Sequence, residues 1–253
     1  MSHGVVHFEI DAQDDGSLVA FYGGLFGWAL QRSAGGGYTA IDTRGGVGIN
    51  GGIGQSRAGR PWSAFCVETD DPQATLDKAT ALGGQTLMPV TELEGGLTLA
   101  MFTDLVGLPV GLVKGLPAAG PSAGTGEAVD WFEVMGSDAE RTQNFYTDLF
   151  GWKIDRSFPG YGVADTGAGR GLMGGVGGGA DVQWVVVYAG VSDVDEKLRR
   201  AQELGASRAP APGLEELKRA ARTALYGSAD DVTMDVLRDP AGNTFGIYHK
   251  AGK

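Results

Sequence analysis

The segment FYGGLFGW at residues 21–28 returns as FYTDLFGW at residues 145–152, 124 positions further along a chain of 253. Six of the eight residues are shared, and they are aromatic, large apolar or glycine, the types that pack a helix on a sheet. A repeat of that period divides the chain into two like units. At about 120 residues, each unit can bury a core without disulfides or a structural metal. A position that both copies keep is explained first by structure. Where the copies part, function has room to enter.

Each half divides again. VVHFEI (5–10) alternates as a strand does, and Leu18 to Phe26 carries apolar residues at helical spacing up to Gly27, a C-terminal glycine. GWAL, YTAID and VGIN read as short strands. WSAFCVE (62–68) then opens a second unit, and Asp71-Pro72 supplies an N-cap and a first-turn proline for a helix ending at Gly83. TLMPV, LTLAMF and VGLV complete the half. The second half repeats the order: WFEV, a helix with Ser137 and Glu140 as a capping box, QWVVVYAGV, and a helix capped by Ser192 and ending at Gly205. The glycine-rich run at 174–180 follows no strand-to-helix phosphate-loop pattern and reads as a loop. These units place domain 1 at residues 1–114, a flexible Gly/Pro/Ala/Ser linker at 115–128 and domain 2 at 129–253. Domain 2 has extra length at about 212–228, with Leu214, Leu217, Ala221 and Leu225 on one helical face. That insertion is either a helix decorating the sheet edge or a lid over a cavity.

The net charge of −11 comes from 20 basic against 31 acidic residues, without a basic cluster, which argues against nucleic acid and anionic membranes as partners. Cys66 is the only cysteine, so no intrachain disulfide can form, and on an apolar strand it reads as an inert buried thiol. No signal peptide and no apolar run of membrane-spanning length are evident, so the expected location is the cytoplasm.

Four strand–helix–three-strand units, with FY…LFGW opening each half and the turns DLVGLPVGLV (104–113) and DPAGNTFGIY (239–248) near each end, resemble the vicinal oxygen chelate superfamily. Its members include glyoxalase I, extradiol dioxygenases and bleomycin-binding proteins. The resemblance implies an α+β fold of two tandem domains, each a pair of βαβββ modules forming a half-open barrel around a cavity. It also implies where metal-binding relatives carry His or Glu. Here the first of those positions holds His7 and Trp131, the third Ala64 and Val186, and the fourth Gly111 and Gly246. The second falls near Ile49–Asn50 and Leu172–Met173. One His in the first half and none in the second is short of the three protein ligands a catalytic metal ordinarily needs, so no conventional metal site and no cofactor are expected. His3 and His249, near the termini, do not repair the set.

Residues two apart on a strand share a face. If the family's ligand position faces the cavity, as the resemblance implies, Glu9 accompanies His7 toward it and Glu133 accompanies Trp131. A carboxylate in an apolar cavity has its pKa raised and can act as general acid or base; the alternative is that each Glu pairs or caps at the domain interface. His7 is a candidate proton shuttle or a structural histidine. Asp235, inside the apolar VTMDVL, is a further acid–base candidate unless it faces solvent. Trp131, Trp184, Tyr188, Met173 and Tyr248 are expected to line the second cavity, where aromatic walls suit a flat ligand. Asn50 and Trp62 are expected to join His7, Glu9 and Cys66 in a smaller, more polar first cavity.

Three functions follow. The first is a metal-independent enzyme that uses acid–base chemistry on a small aromatic or polycyclic metabolite: dehydration, cyclisation, isomerisation or oxygenation, as in natural-product tailoring. The second is a non-catalytic protein that sequesters a drug or metabolite. The third is a metal-dependent glyoxalase or dioxygenase. Four units in one chain already form the pair of barrels that smaller relatives build by dimerising, so either a monomer or a homodimer fits.

Overall fold

The computed structural model describes residues 3–56, 60–118, 120–167, 169–179, 183–209, 219, 223 and 232–251. The first half runs β1 (Val5–Ala12), α1 (Asp15–Phe26), β2 (Ala29–Arg32), β3 (Tyr38–Asp42), β4 (Asn50–Gln55), β5 (Trp62–Glu68), α2 (Pro72–Ala81), β6 (Gln85–Glu92), β7 (Thr98–Thr103) and β8 (Pro109–Lys114). The second runs β9 (Val129–Gly136), α3 (Ala139–Phe150), β10 (Lys153–Phe158), β11 (Tyr161–Asp165), β12 (Gly174–Gly178), β13 (Trp184–Gly190), α4 (Val194–Glu203), β14 (Ser207–Arg208), β15 (Val232–Arg238) and β16 (Thr244–Lys250). Each half forms one eight-stranded sheet. The orders are β2-β3-β4-β1-β5-β8-β7-β6 and β10-β11-β12-β9-β13-β16-β15-β14, the same arrangement twice. These are two tandem domains of paired strand–helix–three-strand modules.

Alternation on the central strands separates two environments. Phe8 and Ile10 of β1 join Phe132 and Val134 of β9 in one apolar core that runs through both halves. Phe65 meets Phe132 there at 4.9 Å between ring centroids. The opposite face of each sheet carries its own smaller cluster and, on β1, the polar residues His7, Glu9 and Asp11. Burial of the shared face therefore fixes the strand register that turns the candidate site residues the other way.

Local signals explain the helix ends, with two corrections. Asp14 and Asp71 cap α1 and α2, and Gly27 and Gly151 close α1 and α3 in the left-handed conformation. The caps of α3 and α4 are Asp138 and Asp193, one residue beyond the expected Ser137 and Ser192. A carboxylate in the first turn also meets the positive end of the helix dipole, which favours Asp over its serine neighbour.

The glycine-rich run expected as a loop is strand β12, paired parallel to β9 and antiparallel to β11. Its glycines exist for clearance. A Cβ at Gly174 would stand 2.3 Å from the Phe132 ring, and one at Gly175 would stand 2.0 Å from the Tyr161 hydroxyl. Gly51 and Gly52 of β4 repeat this against Phe8 and Tyr38.

The linker, flexible by composition, is tied to the first half. The Ser122 N–H and hydroxyl donate to Asp42, the Ser122 carbonyl accepts from Gly46 N–H, and Gly126 N–H reaches Arg44. The insertion at 212–228 lies outside the described residues except for Arg219 and Thr223. Among the described residues, no helix is long and apolar enough to cross a membrane.

Candidate functional site

The register of β1 builds the first-half site. His7 stands beside Asn50 of β4 and Cys66 of β5, Glu9 beside Gly52 and Ala64, and Asp11 beside Gly54 and Trp62. One face thus gathers His7, Glu9, Asn50, Trp62 and Cys66, as alternation predicts. His7 Nε2 lies 3.1 Å from Glu9 Oε1 and 3.1 Å from the Tyr38 hydroxyl, and that hydroxyl donates to the same Glu9 oxygen at 3.0 Å. Tyr38 reaches across β4 because Gly52 lies beneath it: a Cβ there would be 1.9 Å from the phenol oxygen. Both atoms facing Nε2 are acceptors, since the phenol proton is committed to Glu9. Nε2 therefore carries the ring proton, and Nδ1, which makes no hydrogen bond among the described residues, is the basic nitrogen.

His7 also lines a cavity of about 420 Å³. Its walls come from β2–β4, from the linker at Leu116, Pro117 and Ala118, and from Arg170 of the second half. Asn50 lines it too, its side-chain oxygen held by the Thr43 N–H at 3.0 Å. Arg170 is fixed by an ion pair with Glu68 and by the carbonyls of Leu116 and Pro117.

Asp11 continues the row away from this cavity and is buried. Burial, with the nearby charge of Glu9, pushes its carboxyl up to about 7 against the pull of the Gly54 N–H. Burial and the same carboxylates push the Cys66 thiol up, leaving it an un-ionised thiol with little nucleophilic character.

The second half keeps part of this arrangement. Tyr161 of β11 crosses over Gly175 and donates to Glu133 Oε1 at 2.8 Å, matching Tyr38, Gly52 and Glu9. Trp131 stands where the first half has His7, and Tyr188, where it has Cys66, donates to Glu133 Oε2 at 2.5 Å. Glu133 is only 2% exposed. Burial raises its pKa, while the two phenols and the neighbouring Trp131 indole, which closes no hydrogen bond, pull it down. Trp131, Met135, Tyr161, Trp184 and Tyr188 pack on one another as a buried aromatic cluster. The indole N–H groups of Trp131 and Trp184 are buried there without an acceptor among the described residues.

Of the other expected residues, one lies elsewhere. Met173 is 49% exposed, just before β12, and does not join the aromatic cluster. Tyr248 packs at the edge of the cluster and donates to Asp130 at 2.7 Å rather than facing Glu133. Asp235 shares its strand face with Leu237, opposite Met234 and Val236, and pairs with Arg208 at 3.4 Å. The Asp235 charge adds, after burial and Glu133, to what raises the Tyr188 phenol. Three residues of the two sites went unread in the sequence: Asp11, Tyr38 and Tyr161. Alternation carried two residues past Glu9 reaches Asp11. Comparison of the halves finds a tyrosine after a glycine at Gly37-Tyr38 and Gly160-Tyr161.

The family model for the Glyoxalase/Bleomycin resistance protein/Dioxygenase superfamily matches residues 128–247, and the first half repeats the strand order of that region. The second half belongs to this superfamily. Among curated proteins, the chain is 27% identical over 225 residues to the anthracycline biosynthesis protein DnrV of Streptomyces peucetius, covering 79% of this chain and 81% of that one. It is 26% identical over 154 residues to the putative glyoxylase CFP32 of Mycobacterium bovis, covering 56% and 58%. Among solved structures it is similar to the Mn(II)-bound glyoxalase of Novosphingobium aromaticivorans, with TM-score 0.66, 15% identity and coverage of 98% and 83%. Homoprotocatechuate 2,3-dioxygenase of Brevibacterium fuscum, complexed with 3,4-dihydroxyphenylacetate, gives 0.63, 14%, 99% and 81%. At those identities the likeness is one of fold.

A metal such as the Mn(II) of that glyoxalase does not fit the residues present. At the fourth ligand position, a Cβ on Gly111 would lie 2.5 Å from Cys66 Sγ, and one on Gly246 would lie 2.1 Å from the Tyr188 ring. Neighbouring side chains occupy that space. Ala64 and Val186 at the third position offer no donor, and no group of three His, Cys, Asp or Glu among the described residues is arranged to hold an ion.

Proposed function

We propose that this chain binds a polycyclic aromatic natural product in the first-half cavity and acts on it by acid–base chemistry, without a protein-held metal. The observation that carries the reading is His7, which lines the cavity of about 420 Å³ and is held by Glu9 and Tyr38 behind it. A cavity of this size is in the range that takes a drug-sized ligand. The kinship with anthracycline biosynthesis proteins supports the substrate class.

In this reading Nδ1 of His7 removes a proton from a carbon or hydroxyl next to a ligand carbonyl. Glu9 and Tyr38 hold the ring by Nε2 and stabilise the imidazolium that forms, as the oriented carboxylate does for other catalytic imidazoles. Returning that proton to another ligand atom completes an isomerisation; delivering it to a departing hydroxyl completes a dehydration. Neither outcome requires an oxidant.

The test uses a tetracyclic anthraquinone carrying a β-hydroxyketone, with tryptophan fluorescence for binding and mass spectrometry for product. Binding, with product formation lost in H7Q and lowered at least tenfold in E9Q, supports the proposal. Unchanged turnover in H7Q sinks it. Tight binding without product assigns the chain to sequestration.

A further inference from the structure

We infer that Asn50 recognises the ligand carbonyl: its side-chain N–H donates to that oxygen while His7 removes the proton from the adjacent carbon. The inference rests on the proposed reading of His7 as the base. It narrows the ligand to one that presents a carbonyl oxygen beside an acidic C–H.

Asn50 is the register partner of His7 on the neighbouring parallel strand, so the two side chains share a face with their Cα atoms about 5 Å apart. Through Gly52 that face continues to Ala40 and Gln31, and His7, Asn50, Ala40 and Gln31 all line the cavity. A backbone N–H can only donate, so the atom that the Thr43 N–H holds at 3.0 Å is Oδ1, and the amide cannot flip. Nδ2 keeps two hydrogens and has no acceptor among the described residues. The other polar side chains of the wall are spent or remote. Asp42 accepts from Ser122 and the Arg44 N–H, Arg170 is bound to Glu68 and the linker carbonyls, and Gln31 is exposed. Asn50 Nδ2 is therefore the half-buried donor that stands beside the free Nδ1 of His7.

Comparison of the halves separates this role from a merely structural one. Gly51 beneath Phe8 matches Gly174 beneath Phe132, which puts Met173 where the first half has Asn50 and Trp131 where it has His7. The turn before the strand is nevertheless the same: Thr43 Oγ1 reaches the Ile49 carbonyl at 3.5 Å, and Thr166 Oγ1 reaches that of Leu172 at 3.3 Å. The turn forms without an asparagine. Donor and base stand together in the first half and are absent together from the second. When His7 Nδ1 takes the proton, the electron pair of the broken C–H bond moves toward the carbonyl oxygen, and negative charge develops on the atom that Asn50 holds. A fixed donor at that atom binds the charged form more tightly than the starting ketone, which lowers the barrier to proton removal.

N50D tests this in the full chain, since the carboxylate keeps an acceptor for the Thr43 N–H and offers no donor. Two probes are compared by tryptophan fluorescence: the tetracyclic anthraquinone with its β-hydroxyketone, and the same tetracycle with a methylene in place of that ketone. The wild type is expected to prefer the ketone. N50D should weaken the ketone about tenfold and the methylene analogue less than about twofold. Turnover of the ketone at saturation should fall about a hundredfold. N50A has neither the donor nor the added charge; it should show the same difference between the probes, and it carries the test should N50D fail to fold. A wild type that does not prefer the ketone, or equal losses for the two probes in the variants, overturns the inference. Failure of the base reading looks different: a ketone-selective loss in N50D, with turnover unchanged in H7Q, would remove the base and keep Asn50 as the carbonyl donor.

Discussion

The Tyr22 hydroxyl, on the opening helix of the first half, donates to Asp239 Oδ2 of the second half at 3.1 Å, and Tyr146 returns the contact to Asp104 at 3.2 Å. Both tyrosines are the second residue of the FY…LFGW repeat. The tryptophans that end the repeat do the same: Trp28 Nε1 donates to the Glu127 carbonyl and Trp152 Nε1 to that of His3. Tyr22 stacks on Trp28 at 5.8 Å and Tyr146 on Trp152 at 5.6 Å. The repeat is therefore the seam between the halves as well as the helix within each.

Tyr22→Phe is expected to cost about 1–2 kcal/mol, because it removes one donor from a buried carboxylate and keeps the ring. Asp239 retains the N–H groups of Ala241, Gly242 and Asn243, which limits the loss. Tyr146→Phe should match it, and the two should add, since they share no partner. Urea denaturation at neutral pH measures this; a loss under about 0.3 kcal/mol for both would show that the contacts do not hold the seam.

Gly52→Ala and Gly175→Ala should each displace the tyrosine that crosses above. The clash of 1.9 or 2.0 Å is with a phenol oxygen near the end of a packed ring, so the ring must leave its carboxylate. In the first half this frees Glu9 from Tyr38 and should weaken any His7-dependent turnover at least tenfold. In the second it should cost about 1–3 kcal/mol of stability by overpacking. Ligand turnover and thermal melting of the pair separate these effects; a functional loss confined to Gly175→Ala would reverse the assignment of the halves.

Both the duplication and the module order were legible because large apolar residues repeat and glycines stop the helices. The row of His7 and Glu9 was legible from strand alternation once the resembled family's first ligand position had picked out His7. Strand β12 was not, since Gly174, Gly175, Gly177 and Gly178 show no alternation of side chains; Phe132 lies over Gly174 and Tyr161 over Gly175, while Gly177 and Gly178 are closed in by the backbone of Gly160 and Gly136. Tyr38 escaped for a related reason. It reaches Glu9 across an intervening strand, a contact that depends on sheet order and not on spacing. Asp235 was not settled by the sequence, because an acid within an apolar strand has two faces available, and only the register with β16 decides between them.

Stability should fall as pH rises from about 4 to about 7. Asp11 binds its proton more tightly folded, with a midpoint of about 7, than unfolded, where 3.8 applies. Between those values the native state holds more protons than the unfolded state, so raising the pH favours unfolding. The upper bound from this residue is about 4 kcal/mol. Glu133, Asp104 and Asp239 are raised by burial and act with the same sign. Denaturation midpoints from pH 4 to 8 should decline in the wild type and decline less in D11N. Equal slopes would show that Asp11 ionises freely.

Glu133→Gln and Glu133→Leu should differ sharply. The amide keeps one acceptor oxygen and the shape of the carboxyl group, so the Gln variant should lose no more than about 1.5 kcal/mol. Leucine leaves the Tyr161 and Tyr188 phenols buried without their acceptor and should cost about 2–4 kcal/mol. Chemical denaturation reads both. A Leu variant as stable as wild type would mean the phenols find other partners, and the second-half cluster would then be ordinary apolar packing.

Arg170→Ala should act on the ligand rather than on the fold. Its guanidinium joins Glu68 of β5 to the Leu116 and Pro117 carbonyls, and so fixes the linker as one wall of the first-half cavity. A partly exposed ion pair of this kind contributes about 1 kcal/mol or less to stability. Leu116, Pro117 and Ala118 of that linker line the cavity, so loss of their ordering should fall on binding. Anthraquinone affinity should drop about tenfold while the melting temperature moves by only a few degrees. Arg170→Lys keeps the charge but not the fork that spans Glu68 and two carbonyls, so it should recover little of the loss. Full recovery by lysine would assign the effect to charge in the cavity and not to the position of the linker.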